Sequence, residues 1–450
     1  MIKIFKNILS KFGVDWAIFY TSSGNIVRSA GGLLTVVLIA SFLTKEEQGF
    51  YYTFSSVLAI QIFFELGLGG IISQFVAHEM AHLTIVNNHD IDGNPANLSR
   101  LGSLIHFCVK WYAILAGLLL VTLLIAGVSF FNRFGGSNPD IHWKIPWAII
   151  ALTTSLNLLI SPWRAVLQGM NKVKEMARIA LVQQIVVMVL TWLGLILGAK
   201  LYVLAINSVT SFLILIILYA RTPYPRLIYR LYRQKIVERV SYRHEIFPYQ
   251  WKIALSWISG YFIFQLFNPL IFAFNGAAAA GQMGITLVVL NAILSLVVSW
   301  TTTKIPVWST FIAKNDYSTL DKSLKDVIKN SSVVSIIGIL GFLAVLAVML
   351  YLKIPLADRF LPLWLCAILL FTVPLNNVVN AWATYLRCHK KEPFLAASIV
   401  TGIFCAGSTW LTAKYIGVSG VVIGYFCVIL FVSFPFSIYT FLKYKRLYHA

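Results

Sequence analysis

Twelve apolar runs, each about twenty residues or longer, follow one another along this chain, and few folds can absorb them. They read as 17–43, 50–73, 101–131, 146–169, 177–198, 201–221, 251–275, 282–303, 332–353, 361–386, 394–413 and 417–442. A helix rising about 1.5 Å per residue crosses a hydrocarbon core of roughly 30 Å in that length. Inside lipid only a helix or a closed barrel satisfies its own backbone, and the runs are not the ten-residue alternating segments of a barrel. Composition agrees: 59% of the 450 residues are hydrophobic and 12% are charged. The charged share is about half that of a soluble domain. The expected fold is an all-α integral membrane protein of about 12 transmembrane helices.

A formal net charge of +20 would suggest nucleic acid in a soluble chain. Here the basic residues alternate between helix ends. Lys172, Lys174 and Arg178, the run Arg221 to Arg243, Lys314 to Lys329, Arg387 to Lys391 and Lys443 to Arg446 fall on one side with the N-terminal tail. Lys45, Arg133, Lys144, Lys200, Lys353, Arg359 and Lys414 are sparse on the other. That asymmetry is the positive-inside pattern; it puts both termini in the cytoplasm and needs no nucleic-acid partner. Cys108, Cys366, Cys388, Cys405 and Cys427 have no paired spacing and read as apolar packing residues. His78 and His82 stand four apart but have no third ligand, so no metal and no cofactor is expected. Met1 to Gly13 is basic with no cleavage site after the first run, and reads as the flank of a retained span.

Two correspondences suggest an internal repeat. Leu156-Asn157, Trp163 and Leu167 match Leu375-Asn376, Trp382 and Leu386 at one offset, each followed by a basic loop with Lys-Glu. Trp16 ahead of Gly49 matches Trp251 ahead of Gly284 at another constant spacing. Six spans per half preserve orientation, so the expected domains are a six-helix bundle over 1–221 and a second over 251–450, as parallel repeats. Between them, 222–250 mixes Leu227, Leu231, Ile236, Val237 and Val240 with Arg230, Arg233, Lys235 and Arg239. That pattern predicts a basic amphipathic cytoplasmic linker lying on the anionic inner leaflet.

Polar residues inside the spans mark the candidate site. Ser22, Asn25, Ser29 and Gly32 recur at helical steps in the first run, with Arg28 beside them. Arg28 lies about eleven residues in, roughly 16 Å deep at the rise of a helix. A guanidinium stays charged there and must be paired or wetted. Glu65, in the second run, is the expected partner: it either pairs with Arg28 or takes up the ion that couples transport. Thr154, Asn157, Ser161, Arg164 and Gln168 line one helix face, Asn291, Ser295, Ser299 and Thr302 a second, and Asn377, Asn380, Thr384 and Arg387 a third. Such stripes either bond helices together or line a hydrophilic path. The substrate-binding candidates are Arg28, Asn25, Arg164, Asn157, Ser161, Lys252, Asn291, Asn377 and Asn380.

Phe64-Glu65-Leu66-Gly67-Leu68-Gly69-Gly70, Thr44-Lys45-Glu46-Glu47-Gln48-Gly49-Phe50-Tyr51 and Gln168-Gly169-Met170-Asn171-Lys172 resemble the polysaccharide biosynthesis (Wzx-type O-antigen flippase) family. That family belongs to the multidrug/oligosaccharidyl-lipid/polysaccharide exporter superfamily. The resemblance implies two six-helix bundles in a V, working by alternating access in the bacterial cytoplasmic (inner) membrane. It implies a non-enzyme that moves undecaprenyl-pyrophosphate-linked oligosaccharide outward. Its partners would be the lipid-linked glycan, membrane lipids and other polysaccharide-assembly proteins. The pyrophosphate would find cationic donors in Arg28, Arg164 or Lys252. A drug/cation antiporter of the same superfamily would want a carboxylate in the first or seventh span, where this sequence has none. A membrane polymerase or ligase would want a large outer loop, and the longest here runs only from about Asn132 to Pro146.

Overall fold

The computed structural model describes residues 16–86, 90–136, 140–389 and 391–449; the Met1–Gly13 tail lies outside them. Among these residues, nine helices are long and apolar enough to cross a membrane, or up to eleven if each of two bent pairs is one span. A further apolar helix, Gly31–Phe42, is the second half of α1 (Trp16–Phe42). The chain is a multi-pass helical membrane protein, as its apolar runs require.

After α1 come α2 (Lys45–Leu58), the short α3 (Ile62–Glu65) and α4 (Leu68–Met80). Thr44 and Glu47 explain where α2 starts. The Thr44 hydroxyl accepts from the Glu47 N–H at 3.1 Å, and the Glu47 carboxylate accepts from the Thr44 N–H at 2.9 Å. This reciprocal cap satisfies two N–H groups that a helix start leaves open. A hairpin absent from the sequence reading, β1 (Leu83–Val86) with β2 (Asp90–Gly93), follows α4, with Leu83 opposite Gly93. Then come α5 (Pro95–Thr122), α6 (Lys144–Gly169), α7 (Val173–Ile196), α8 (Tyr202–Ala220) and α9 (Tyr224–Arg233).

The later elements are α10 (Phe247–Phe264), α11 (Phe267–Asn275), α12 (Ala277–Thr302), α13 (Tyr317–Tyr351), α14 (Leu363–Leu370), α15 (Thr372–Arg387), α16 (Leu395–Tyr415), α17 (Val418–Val428) and α18 (Phe434–His449).

Two compact units emerge. The first holds residues 1–38, 60–131 and 139–254; the second holds 39–59, 132–138 and 255–450. The units depart from the expected bounds: 222–254 falls in the first, 132–138 in the second, and α2 groups with the second unit, not with the rest of 1–221. Glycine is the physical reason. A Cβ on Gly49 would stand 1.9 Å from the Ala277 carbonyl oxygen, and one on Gly284 would stand 2.4 Å from the Tyr52 Cβ. Backbones that approach this closely pack without side-chain spacers, as small residues allow between membrane helices. The Gln48 amide then donates to the Gly281 carbonyl at 2.8 Å, tying α2 to α12.

The linker also differs from expectation. Its α-helix is short, Tyr224–Arg233, with a π-helical turn at Tyr242–Ile246 leading into α10, and the apolar face of Tyr224–Arg233 (Tyr224, Leu227, Ile228, Leu231) is buried within the protein, chiefly against α5. That face is not free to lie on a leaflet. Beyond it, the Ser99 hydroxyl accepts from the Val237 N–H at 2.7 Å and the Glu238 N–H at 2.9 Å, while Ser103 accepts from Val240 at 3.0 Å. Val237 itself is 79% exposed. The buried Glu79, bonded to Asn97 at 2.7 Å and to Arg100 at 3.0 Å, joins the strap through the Arg100–Glu245 ion pair at 2.6 Å.

Candidate functional site

The first unit builds a polar cluster at the break between α3 and α4. Leu66 (φ 50°) and Gly67 (φ 71°) take left-handed backbone, and the span bends by 44° there. A left-handed leucine is strained, and irregular backbone at membrane depth persists only where protein or a wet cavity covers it. Glu65 closes the first half of the break. A Cβ added to Gly69 would lie 3.1 Å from the Glu65 Oε1, so the missing side chain gives the carboxylate room against the first turn of α4. The open N–H groups of a helix start favour a negative charge there.

Arg164 on α6 is the charge that Glu65 feels. Its placement follows from helix register. A Cβ on Gly169 would stand 2.5 Å from the Ser73 carbonyl oxygen and 2.6 Å from the Val76 Cβ, so α6 rests directly on α4 at that level. Five residues back along α6, about 7.5 Å, is Arg164; a similar step back along α4 reaches Gly69 and the break. Asn171, left-handed at φ 60°, stops α6 just beyond, with the Lys172 N–H reaching back to the Leu167 carbonyl at 2.9 Å. The Glu-Leu-Gly-Leu-Gly-Gly and Gln-Gly-Met-Asn motifs thus assemble one site. Tyr112 of α5 and Ser161 of α6 complete it. Tyr112 is fully buried, and its hydroxyl lies beside that of Ser161. Pro162, inside α6, brings no N–H to the Leu158 carbonyl. Arg164 also lines a cavity of about 280 Å³ with Gln168, Met176, Ala180, Gln183 and Leu215.

Arg28 does not join this cluster. Its Nε and Nη2 both point at the Gln184 Oε1 at 3.4 Å, on an exposed face. A Cβ on Gly31 would stand 1.8 Å from the Met188 Sδ, and Trp192 donates to the Thr35 hydroxyl at 2.9 Å. Residues 184, 188 and 192 form one ridge of α7, so it is the α1–α7 contact that holds Arg28. Arg28 thus contacts Gln184, and Glu65 lies within electrostatic reach of Arg164. Asn25 lies on α1, and its side chain falls outside the described residues.

The other candidates scatter. Asn157 donates to the Thr153 carbonyl of its own helix at 2.9 Å. Lys252 is exposed, with its Nζ 5.7 Å from the Trp251 ring centroid. Asn291 lies on an exposed face of α12, where Ser295 and Thr302 back-bond to Ala292 and Ser299. Asn377 is fully buried and donates to Ser331 at 2.7 Å. It joins α15 to α13. Asn380 lines a cavity of about 350 Å³ inside the second unit, with Asn376 beside it. Of the described candidates, Arg164 and Ser161 belong with the Glu65 break in the first unit, and Asn380 lines the cavity of the second. Tyr112 and Gln184 escaped the sequence reading because neither belongs to a polar stripe that recurs at helical steps.

Comparison with known proteins places this architecture. A structure of a multidrug resistance MATE family transporter of the MOP superfamily, in an inward-facing conformation, superimposes with a TM-score of 0.70. It is 14% identical and covers 95% of this chain and 99% of its own. The lipid II flippase MurJ, in an inward closed conformation, matches with a TM-score of 0.65 and 15% identity, covering 96% of this chain and 90% of its own. A MOP superfamily transporter from Pyrococcus furiosus, described as having a binding pocket of reversed polarity, gives a TM-score of 0.55 at 15% identity, over 95% of each chain. At these identities the likeness establishes the fold: that of the MOP transporters. No curated protein matches the sequence. The family model for polysaccharide biosynthesis protein matches residues 17–312. That stretch holds all three motifs and both halves of the Glu65–Arg164 cluster, and the chain belongs to the polysaccharide biosynthesis protein family.

Proposed function

We propose that this protein is a flippase. It would carry an undecaprenyl-pyrophosphate-linked oligosaccharide, the repeat unit of an O-antigen or another surface polysaccharide, from the inner to the outer leaflet of the bacterial cytoplasmic membrane. The observation that carries this reading is a broken helix at which Glu65 lies within electrostatic reach of Arg164, a guanidinium that itself lines a cavity. Ionisable groups at membrane depth are expensive, and broken helices with open N–H groups are where carriers hold charged cargo. A guanidinium matches the two-pronged geometry of a phosphate. While Glu65 is ionised it competes with that phosphate for Arg164. A proton on Glu65 releases the guanidinium for cargo, which couples anion binding to the proton gradient. Family membership and the transporter fold support the reading from outside the site.

Complementation of a flippase-deficient host tests it. At equal membrane level, Arg164→Ala should lower glycan export about tenfold or more, the loss expected when a charge-assisted bond disappears. Arg164→Lys should retain part of the activity, because a point charge replaces a planar fork. Unchanged export in Arg164→Ala would sink the reading. Resistance to cationic drugs that tracks Glu65 while glycan export does not would favour a drug antiporter.

A further inference from the structure

We infer that the cavity enclosed by the second unit is a subsite for uncharged sugar residues. This rests on the reading of the protein as a carrier of lipid-linked glycan. The cavity measures about 350 Å³. That is room for roughly a dozen waters at about 30 Å³ each, at the small end of ligand pockets.

Its chemistry excludes a charged primary ligand. Among the lining residues only Arg387 carries a charge, and Glu392 holds its guanidinium through contacts of 2.8–3.0 Å. Among the described residues, no carboxylate lines the cavity to receive a cation. Amides and hydroxyls remain, among them Asn376, Asn380, Ser398, Thr401, Ser433 and Ser437. Asn376 donates to the Tyr425 hydroxyl at 3.2 Å, which orients the amide. The Asn380 Nδ2 is buried and donates to nothing in the protein. A buried donor without a partner is costly enough to call for one from outside the chain. Phe264 and Phe394 supply apolar walls. A pyranose ring, with C–H groups on its faces and hydroxyls around its rim, satisfies both kinds of surface.

The backbone gives independent support. Residues Ile429–Ser433, between α17 and α18, form a π-helical turn, and both of its end residues line the cavity. Such turns sacrifice regular hydrogen bonding and recur at functional sites. Here the turn brings Ser433 to the same wall as Ser437.

Two ligands separate the outcomes: the lipid-linked oligosaccharide extracted from the source cells, and undecaprenyl pyrophosphate without a glycan. The full-length protein is reconstituted, binding of each radiolabelled lipid is measured, and Ser398→Cys, on the cavity wall, is labelled with N-ethylmaleimide in a background lacking the five native cysteines. Glycan-bearing lipid should slow labelling several-fold, and bare carrier should not. In the native background, Asn380→Leu should weaken glycan-lipid binding about tenfold and leave bare-carrier binding unchanged. Equal protection by bare carrier would make the cavity a lipid or phosphate site and overturn the inference. So would bound glycan-lipid that neither protects the introduced thiol nor responds to Asn380→Leu, and in that case the flippase reading would survive. Failure of either lipid to bind would remove both.

Discussion

At the scale of single residues, the charge of Arg164 within reach of the half-buried Glu65 makes a prediction that Arg28 does not. Removing the guanidinium alone takes away the favourable field on the Glu65 carboxylate, which costs more than removing both groups. Arg164→Ala should therefore destabilise the protein by about 1–3 kcal/mol, the lower end reflecting solvent reach into the cavity. Arg164→Ala/Glu65→Ala should recover part of that loss in thermal unfolding. Arg28→Gln, which loosens only a 3.4 Å exposed contact, should change stability by less than about 0.5 kcal/mol. A double variant no more stable than Arg164→Ala would refute that interaction. His389, in the loop after α15, carries the pH dependence. Burial pushes its pKa below the ordinary histidine value; the Tyr385 carbonyl opposes this and Lys391 adds to it. Its Nδ1 faces that carbonyl at 3.2 Å, its Nε2 has no partner, and Tyr448 and His449 of α18 pack against the ring. A depressed histidine favours the folded state while neutral. This contribution is full above about pH 6.5, the unfolded value, and disappears as pH falls through the lower folded value. Hydrogen exchange in α18 should rise on acidification, and His389→Gln should flatten that response.

At the scale of elements, glycines set helix registers. The Gly169 contact with Ser73 and Val76 fixes how far α6 slides along α4, and so whether Arg164 reaches Glu65. A valine there meets backbone, which cannot move aside as a flexible side chain can. Gly169→Val should cost about 2 kcal/mol or more, the range of overpacking, and should also abolish export at whatever level still reaches the membrane. Its effect on export should exceed that of Gly117→Val, because a Cβ at Gly117 meets nothing within 4 Å. Equal effects would show that register does not matter. The polar stripes read differently once helices are packed: Asn377 bonds α15 to α13, Asn157 bonds its own backbone, and of the third stripe's asparagines only Asn380 lines the cavity.

At the scale of the molecule, α2 departs from the order of the chain. It follows α1 in sequence and packs in the second unit, held by Gly49, Gly281, Gly284 and Gln48. Gly49 and Gly284, matched by the sequence repeat, lie in the same helix–helix contact. Gly49→Val should therefore destabilise the second unit, seen as earlier proteolysis within α12, while leaving exchange in α7 and α8 unaltered. Loosening confined to the first unit would contradict the assignment. Span positions were legible throughout, because hydropathy is a property of each segment alone: 146–169 became Lys144–Gly169, and 394–413 became Leu395–Tyr415. The capping box at Thr44 and the family motifs are local in the same sense.

The sequence by itself thus determined the membrane class, the apolar segments and the family. Those depend on composition and on spacing within one helix. Only the tertiary structure decided that Glu65 comes within reach of the Arg164 charge, that Arg28 rests on Gln184, that α2 belongs with the second unit, and that α9 buries its apolar face in protein. Each of these depends on register and rotation between helices distant in the chain. Register is fixed where a missing Cβ lets two backbones touch, and a single sequence marks the glycine without marking the neighbour it admits.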